Sequence, residues 1–250
     1  VTDGTHQPAP ITLNRRLPLW YQVSQSLRAS VLGRGPDSPL RLPTEEDLAR
    51  HYGVSVLTVR QALKPLEEEG LITRHRRRGT FIDPAARPMA PIRLLGSVDA
   101  IVAQQSSEEA TVLGRGTAAA PADLAEHFPP GSGTAWFRRL RRHGGEPSSW
   151  AENHVLPELG ERVRTEDLER WPMTRVLRDR LGVRISRITD TVQARLADPE
   201  TAELLGVPLL SPILHYTGVT YDHENQVVDV ARIHYRGDRF SFSVTLEAES

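Results

Sequence analysis

The chain has 250 residues, 38% of them hydrophobic and 25% charged, with 31 Arg and Lys against 32 Asp and Glu and a formal net charge of −1. That balance is ordinary for a globular protein able to bury one large core or two smaller ones. Cys is absent, which excludes disulfides and thiolate metal sites. No apolar run nears the roughly 18 residues of a membrane span and no signal-peptide pattern opens the chain, so a soluble, cytoplasmic protein is expected.

Residues 1–14 carry turn formers and no periodicity, which suits a flexible leader. From Pro18 onward Leu19, Val23, Leu27 and Val31 recur at four-residue spacing on one helical face, and Gly33 and Gly35 end the segment. The stretch LPTEEDLARHYG offers Thr44 as an N-cap, acids in the first turn and Gly53 as a stop. A third helix starts after Ser55, a second N-cap, and its apolar stripe is Val59, Ala62, Leu63 and Leu66. The period then changes. LITRHRRRGTFI, residues 71–82, sets apolar arms around a charged middle, the pattern of a short β-hairpin. Three helices and a hairpin make a winged helix-turn-helix over residues 15–82.

Residues 83–93 hold three prolines without periodicity and read as a linker. Across 94–250, strand-like runs occur at GSVDAIVA, TAWFRRLRRH, SSWAENHVL, ISRITDTVQARL, PILHYTGVTYD and QVVDVARIHYR. Helical pieces lie between them at PADLAEHF, MTRVLRDRLG and DPETAELLG. The second part is therefore expected to be an antiparallel-rich α+β domain, and the whole chain α+β.

Charge is unevenly placed. Residues 15–82 hold 12 Arg and Lys against 7 acids, a balance of +5; the remainder holds 19 against 25, or −6. A basic head on an acidic body suits contact with a polyanion. In helix-turn-helix geometry the first turn of the recognition helix enters the DNA major groove. Here that turn is Ser55, Val56, Leu57 and Thr58, with Arg60 at the next exposed position. The hydroxyls suit phosphate oxygens, and Arg60 suits a guanine edge. The competing reading is a small packed helical subdomain with a solvated face.

The residues RLPTEEDLARHYGVSVLTVRQAL and LEEEGLITRHRRRGTFI together resemble the DNA-binding domain of GntR-family bacterial transcription regulators, over nearly all of 17–82. The pieces RRLRRHGGEP, LADPETAELLGVP and HYRGDRFSF resemble the HutC-type effector domain, UTRA, which implies a chorismate-lyase-like fold and a dimerising role for 94–250. Four departures stand out. The family usually carries Arg where this chain has Glu46 and Val56, a small polar residue at Leu57, and Gly at Arg77. Pro65 inside the recognition helix removes a backbone donor and is expected to kink or weaken it. By the resemblance, the DNA contacts are Thr44, Glu46, Ser55, Val56, Leu57, Thr58, Arg60, Arg76, Arg77, Arg78 and Gly79. With two usual Arg missing, binding energy is expected to shift to the wing tip, where Arg reads minor-groove width and charge.

For the second domain the resemblance implies a pocket in which two Arg of one strand meet a ligand's anionic group. Arg139 and Arg141 match that pair, two apart and so on one strand face. Asp229 and Tyr235 match a late-strand carboxylate and tyrosine, and Glu152 matches a further pocket carboxylate. An alternative stays open, in which Arg139 and Arg141 are a solvated strand face beside Arg138 and Arg142. Trp136, Phe137 and Trp150 are either core or the lining for a larger acid.

Catalytic motifs are missing. No HxxxH or HxH pair, GxSxG elbow or phosphate-binding glycine loop occurs. The only lysine, Lys64, lies in the recognition helix, which excludes the Schiff-base branch of the family. No metal, no cofactor and no enzyme activity are expected. The leading expectation is a homodimeric regulator, most often a repressor in this family, reading a palindromic DNA operator and answering to a small anionic metabolite. The rivals are a lyase-like enzyme tethered to DNA and a ligand-independent DNA-binding dimer. Replacing Arg77 and Arg78 with Ala is expected to weaken operator binding and flatten its salt dependence; equal affinity and slope across a salt titration would reject a wing-centred grip.

Overall fold

The computed structural model describes residues 13–14, 16–33, 39–75, 78–84, 92–94 and 109–244. Two compact units divide the chain, Val1–Pro88 and Met89–Ser250. The expected strand at 96–103 and the wing residues Arg76 and Arg77 lie outside the described residues.

In the first unit, α1 (Leu19–Leu32) buries Val23, Leu27 and Val31, while Leu19 stays exposed. Helix α2 (Glu45–Tyr52) begins where Thr44 Oγ1 accepts the Asp47 N–H at 3.1 Å, and ends at Gly53, whose φ of 63° suits glycine. Helix α3 (Val56–Glu68) is capped by Ser55 Oγ, which accepts the Thr58 N–H at 3.1 Å. Its inner face of Val59, Ala62, Leu63 and Leu66 is fully buried against α1 and α2. The hairpin pairs β1 (Ile72–His75) with β2 (Gly79–Ile82), and Ile72 and Ile82 close the same core. Arg41 adds a bridge to Phe81, so the chain before α2 braces the wing.

Pro65 does not end α3, which continues to Glu68. Having no N–H, Pro65 cannot donate back to Gln61, so the packed stripe and not the local ladder holds the last turn helical.

The second unit is a six-stranded antiparallel sheet in the order β4-β5-β6-β9-β8-β7. Its strands are β4 (Glu109–Ala119), β5 (Gly133–His143), β6 (Glu146–Val155), β7 (Ile185–Leu196), β8 (Pro212–Asp222) and β9 (Val227–Arg236). A separate parallel pair joins β3 (Ile92–Leu94) to β10 (Phe242–Val244). Between β6 and β7 lie α4 (Pro157–Gly160), α5 (Thr165–Arg170), α6 (Met173–Arg175) and a π-helical turn, Val176–Arg180. These elements bury Leu168, Met173, Val176 and Leu177 with Phe137 and Val155 of the sheet. Helix α7 (Pro199–Leu205), capped by Asp198, packs against β6, and Trp150 Nε1 donates to Thr201 Oγ1 at 3.3 Å. PADLAEHF holds a single 3-10 turn, Ala125–His127, where a helix was expected; the two prolines after Phe128 stop its growth. Pro65→Ala is expected to stabilise the first unit by about 1–3 kcal/mol, read as a higher melting temperature, because it restores the missing donor without disturbing the buried stripe.

Candidate functional site

On the first unit the helix-turn-helix surface is built from its caps. Thr44 and Ser55 each commit a hydroxyl oxygen to the N–H three residues on, and Ser55 Oγ also shares a hydrogen with Thr58 Oγ1 at 2.9 Å. Val56 is half-buried against the core, whereas Leu57 is 65% exposed in the first turn of α3. Arg60 Nε donates to Glu45 Oε2 at 2.6 Å, and the other Glu45 oxygen accepts from Arg74 of β1. Burial opposes the Glu45 charge, but hydrogen bonds from Arg60 and Arg74 hold its carboxyl below the usual range. One carboxylate thus ties the recognition helix and the wing to α2. Arg60 is mostly exposed, so water and salt screen its pairing with Glu45 and the guanidinium is free to exchange that carboxylate for a base edge. Glu46 is exposed on the same surface.

At the wing, the Arg78 N–H bonds to the His75 carbonyl at 3.0 Å and turns the chain, and the Arg78 side chain is exposed. Gly79 sits at φ 106°, in the region that favours glycine, with its pro-Cβ direction 3.3 Å from the Arg41 guanidinium.

In the second unit, strand alternation sorts the charged residues onto two faces. Registers put Arg139, Arg141, Asn153, Asp229, Ala231, Ile233, Tyr216, Gly218 and Thr220 on one face, beneath Pro172, Met173 and Thr174. Together they line a cavity with about 20 Å³ of free space, enough for roughly one water molecule. Arg139 and Arg141 are 2% and 5% exposed, which rules out the solvated-strand reading.

Arg139 Nη2 donates to Asn153 Oδ1 at 2.8 Å, and Nη1 donates to the Trp171 carbonyl at 3.1 Å, just before the cavity cover. Its Nε is buried with no acceptor among the described residues. Asn153 Nδ2 donates to both Asp229 oxygens, at 2.9 and 3.0 Å, so the amide relays Arg139 to Asp229. Arg141 donates to no described residue. Burial, then repulsion from Arg141, lowers the Arg139 pKa to about 9. Burial likewise raises Asp229 to about 7, against the pull of Asn153 and Arg139.

Glu152 is not in this cavity. Being one residue from Asn153, it points to the opposite face, where it accepts from Arg138 at 2.5 Å and meets His154 Nε2 at 2.8 Å. The His154 hydrogen bond first, then Arg138, lowers its pKa to about 2. Trp136 and Trp150 share that opposite face, and Phe137 is buried in the core. None of the three lines the cavity. Tyr235 is on the Asp229 face but packs against Phe240, outside the lining. Asn153, Thr174, Tyr216 and Thr220 are lining residues that sequence reasoning missed. A wider cleft of about 220 Å³ lies beside the β8–β9 turn, floored by Leu156, Leu159, Val183 and Val228, and holds no residue of the expected site.

Comparison with known proteins gives a family for each unit. The family described as bacterial regulatory proteins, gntR family, matches residues 21–82, and the UTRA domain family matches 103–241. The HTH-type transcriptional regulator Rv0792c of Mycobacterium tuberculosis is 28% identical over 235 residues, covering 92% of this chain and 86% of that protein. The HTH-type transcriptional repressor NagR of Bacillus subtilis is 26% identical over 243 residues, covering 90% and 93%. The crystal structure of PhnF from Mycobacterium smegmatis matches with a TM-score of 0.53 at 23% identity, covering 91% of this chain and all of that one, and so supports the fold.

The raised Asp229 pKa has a stability consequence. A carboxyl lifted from 3.8 to about 7 favours folding fully below its ordinary pKa and loses that contribution as pH rises toward 7. Asp229→Asn keeps a side chain able to accept from Asn153 and does not ionise. Urea midpoints of the variant are therefore expected to gain on the wild type from pH 5 to about 7 and to level off above it, and parallel profiles across that window would reject a buried, reluctant carboxylate.

Proposed function

The chain belongs to the gntR family of bacterial regulatory proteins and carries a UTRA domain, and from that premise we propose that it is a dimeric, DNA-binding repressor controlled by a small anion held between Arg139 and Arg141. It is a transcription regulator that reads DNA through its helix-turn-helix. The finer assignment rests on one observation: a buried arginine pair bordering one cavity, in which Arg139 Nε has no acceptor and Arg141 makes no side-chain hydrogen bond among the described residues. Unpaired buried guanidinium donors are costly, and an anion satisfies them with charge-assisted hydrogen bonds.

DNA is met by the first turn of α3 and by the wing. Leu57 offers apolar contact to a thymine methyl group, Arg60 offers a guanine contact after leaving Glu45, and Arg76, Arg77 and Arg78 reach phosphates or the minor groove. Thr44, Ser55 and Thr58 serve mainly to fix the helix ends that present these groups. Two copies joined through residues 94–250 read two half-sites in the cytoplasm. The anion acts by binding one dimer arrangement more tightly than the other, which is all that a ligand needs to shift DNA affinity. No step of this reading requires catalysis or a cofactor.

The charge of the cavity sets a pH dependence. With Asp229 ionised, the two guanidinium charges are offset by one carboxylate; with it protonated, they are not. A simple carboxylate such as acetate, ionised throughout this range, is expected on calorimetric titration into the full-length protein to bind more tightly as pH falls through about 7. Arg141→Ala is expected to cost about tenfold or more in affinity, a loss of roughly 1.4 kcal/mol. Anion affinity unchanged in the Arg141→Ala variant would remove the assignment.

A further inference from the structure

A cavity with about 20 Å³ of free space is far below the roughly 300 Å³ of an ordinary small-molecule pocket. Something that lines it has to move before a metabolite enters, and Tyr216 is placed to be that group. Its ring lies flat over Gly218, two residues on along β8 and on the same face: a Cβ built on Gly218 would come within 2.7 Å of the Tyr216 hydroxyl and 2.9 Å of the ring edge. The ring therefore occupies the volume that any other residue at 218 would fill. The Tyr216 hydroxyl donates to Asp190 of β7, the strand at the sheet edge, and Asp190 is the register partner of Gly218. This hydrogen bond spans the glycine and holds the ring in its seat.

Other lining groups are less free to yield. Arg139 is pinned to Asn153 and the Trp171 carbonyl, Asp229 is pinned to Asn153, and Ala231 and Ile233 stand on central strand β9. Tyr216 is held by packing and by one hydrogen bond to an edge strand, and rotation about its own side-chain bonds clears it from the cavity. Ile188, Ala231, Ile233 and the Gly218 backbone line the cavity with it, so a flat slot floored by glycine opens when the ring leaves.

We propose that Tyr216 is the specificity-determining plug of this cavity, and that the effector is an anion whose flat, ring-sized body takes the place of the tyrosine ring over Gly218 while its charge meets Arg141. The proposal rests on the reading of the arginine pair as an anion site and adds to it the shape of the ligand. Asp190 then loses its donor when ligand enters, so occupancy is felt on β7.

Benzoate, a planar ring bearing one carboxylate, is the probe. Titrated calorimetrically into the full-length protein, it is expected to bind Tyr216→Ala about tenfold more tightly than the wild type, because no ring has to be displaced. Tyr216→Phe, which keeps the packing and loses only the bond to Asp190, is expected to gain about threefold, the worth of one net hydrogen bond. Adding Gly218→Ala to Tyr216→Ala puts a methyl group into the slot and is expected to cancel the gain. Benzoate that binds Tyr216→Ala no better than wild type, or not at all, overturns the plug, as does a double variant that keeps the gain. The underlying anion site is scored separately by Arg141→Ala: a Tyr216→Ala gain that persists in the Arg141→Ala background upholds the slot and rejects the arginine role. A loss of benzoate with Arg141→Ala, without any Tyr216→Ala gain, upholds the arginine role and rejects the plug.

Discussion

Side chains along a β-strand alternate between the two faces of the sheet, and in the second unit this alternation decides which charges meet. Arg138 and Arg139 are neighbours in sequence yet serve different networks. Arg139 turns toward Asn153 and Asp229 under the α5–α6 cover, whereas Arg138 turns to Glu152 and to Glu200 of α7. Both faces are covered, so both networks are at least partly shielded from water and each must pair its own charges. The face with Glu152 does so with two arginines and a histidine nearby. The cavity on the Asp229 face is lined by two guanidinium groups and one carboxyl, and pairing there is incomplete among the described residues.

That imbalance shapes the electrostatics of the cavity. Burial moves both members of the Arg139–Asn153–Asp229 chain toward their neutral forms, Arg139 downward and Asp229 upward. The amide of Asn153 is what makes the arrangement tolerable, since it accepts from the cation and donates to the carboxyl at once. Arg139 also holds the Trp171 carbonyl, immediately before Pro172, Met173 and Thr174 of the cover. A ligand that competes for Arg139 thereby acts on the cover as well as on the sheet. On the far side of the cavity the seat of Tyr216 depends on a glycine, the one residue type that leaves room for a ring lying against the strand.

The first unit works by a simpler division of labour. Buried stripes of α1 and α3 and the arms of the hairpin make one core, and two hydroxyl caps set where α2 and α3 begin. The exposed groups are then few and directed. Leu57 stands out of the first turn of α3, and Glu45 gathers Arg60 and Arg74 so that recognition helix and wing keep a common orientation. A weak, exposed bridge suits this role, because a strong one would keep Arg60 from DNA.

Local chemistry was legible in the sequence: Thr44 and Ser55 as caps, Gly53 as a stop, the hairpin at 71–82, and most strands of the sheet follow from residue type and period alone. The arginine pair was legible for the same reason, since Arg139 and Arg141 share a face in any register. Glu152 was misplaced because β6 is buried on both sides, so its polarity does not alternate and nothing local sets its phase. Strand β4 and helix α5 were missed: β4, GlyArgGly at its centre, has small residues that carry little strand signal and gain their place only by accommodating Trp136. Tertiary structure alone decided that Asn153 would bridge Arg139 to Asp229, that Thr174 would arrive from a distant cover, and that Tyr216 would fill the space over Gly218. The first two contacts join segments tens of residues apart, which only strand register and packing bring within reach, and the third is fixed by the Tyr216 hydrogen bond to Asp190 of another strand.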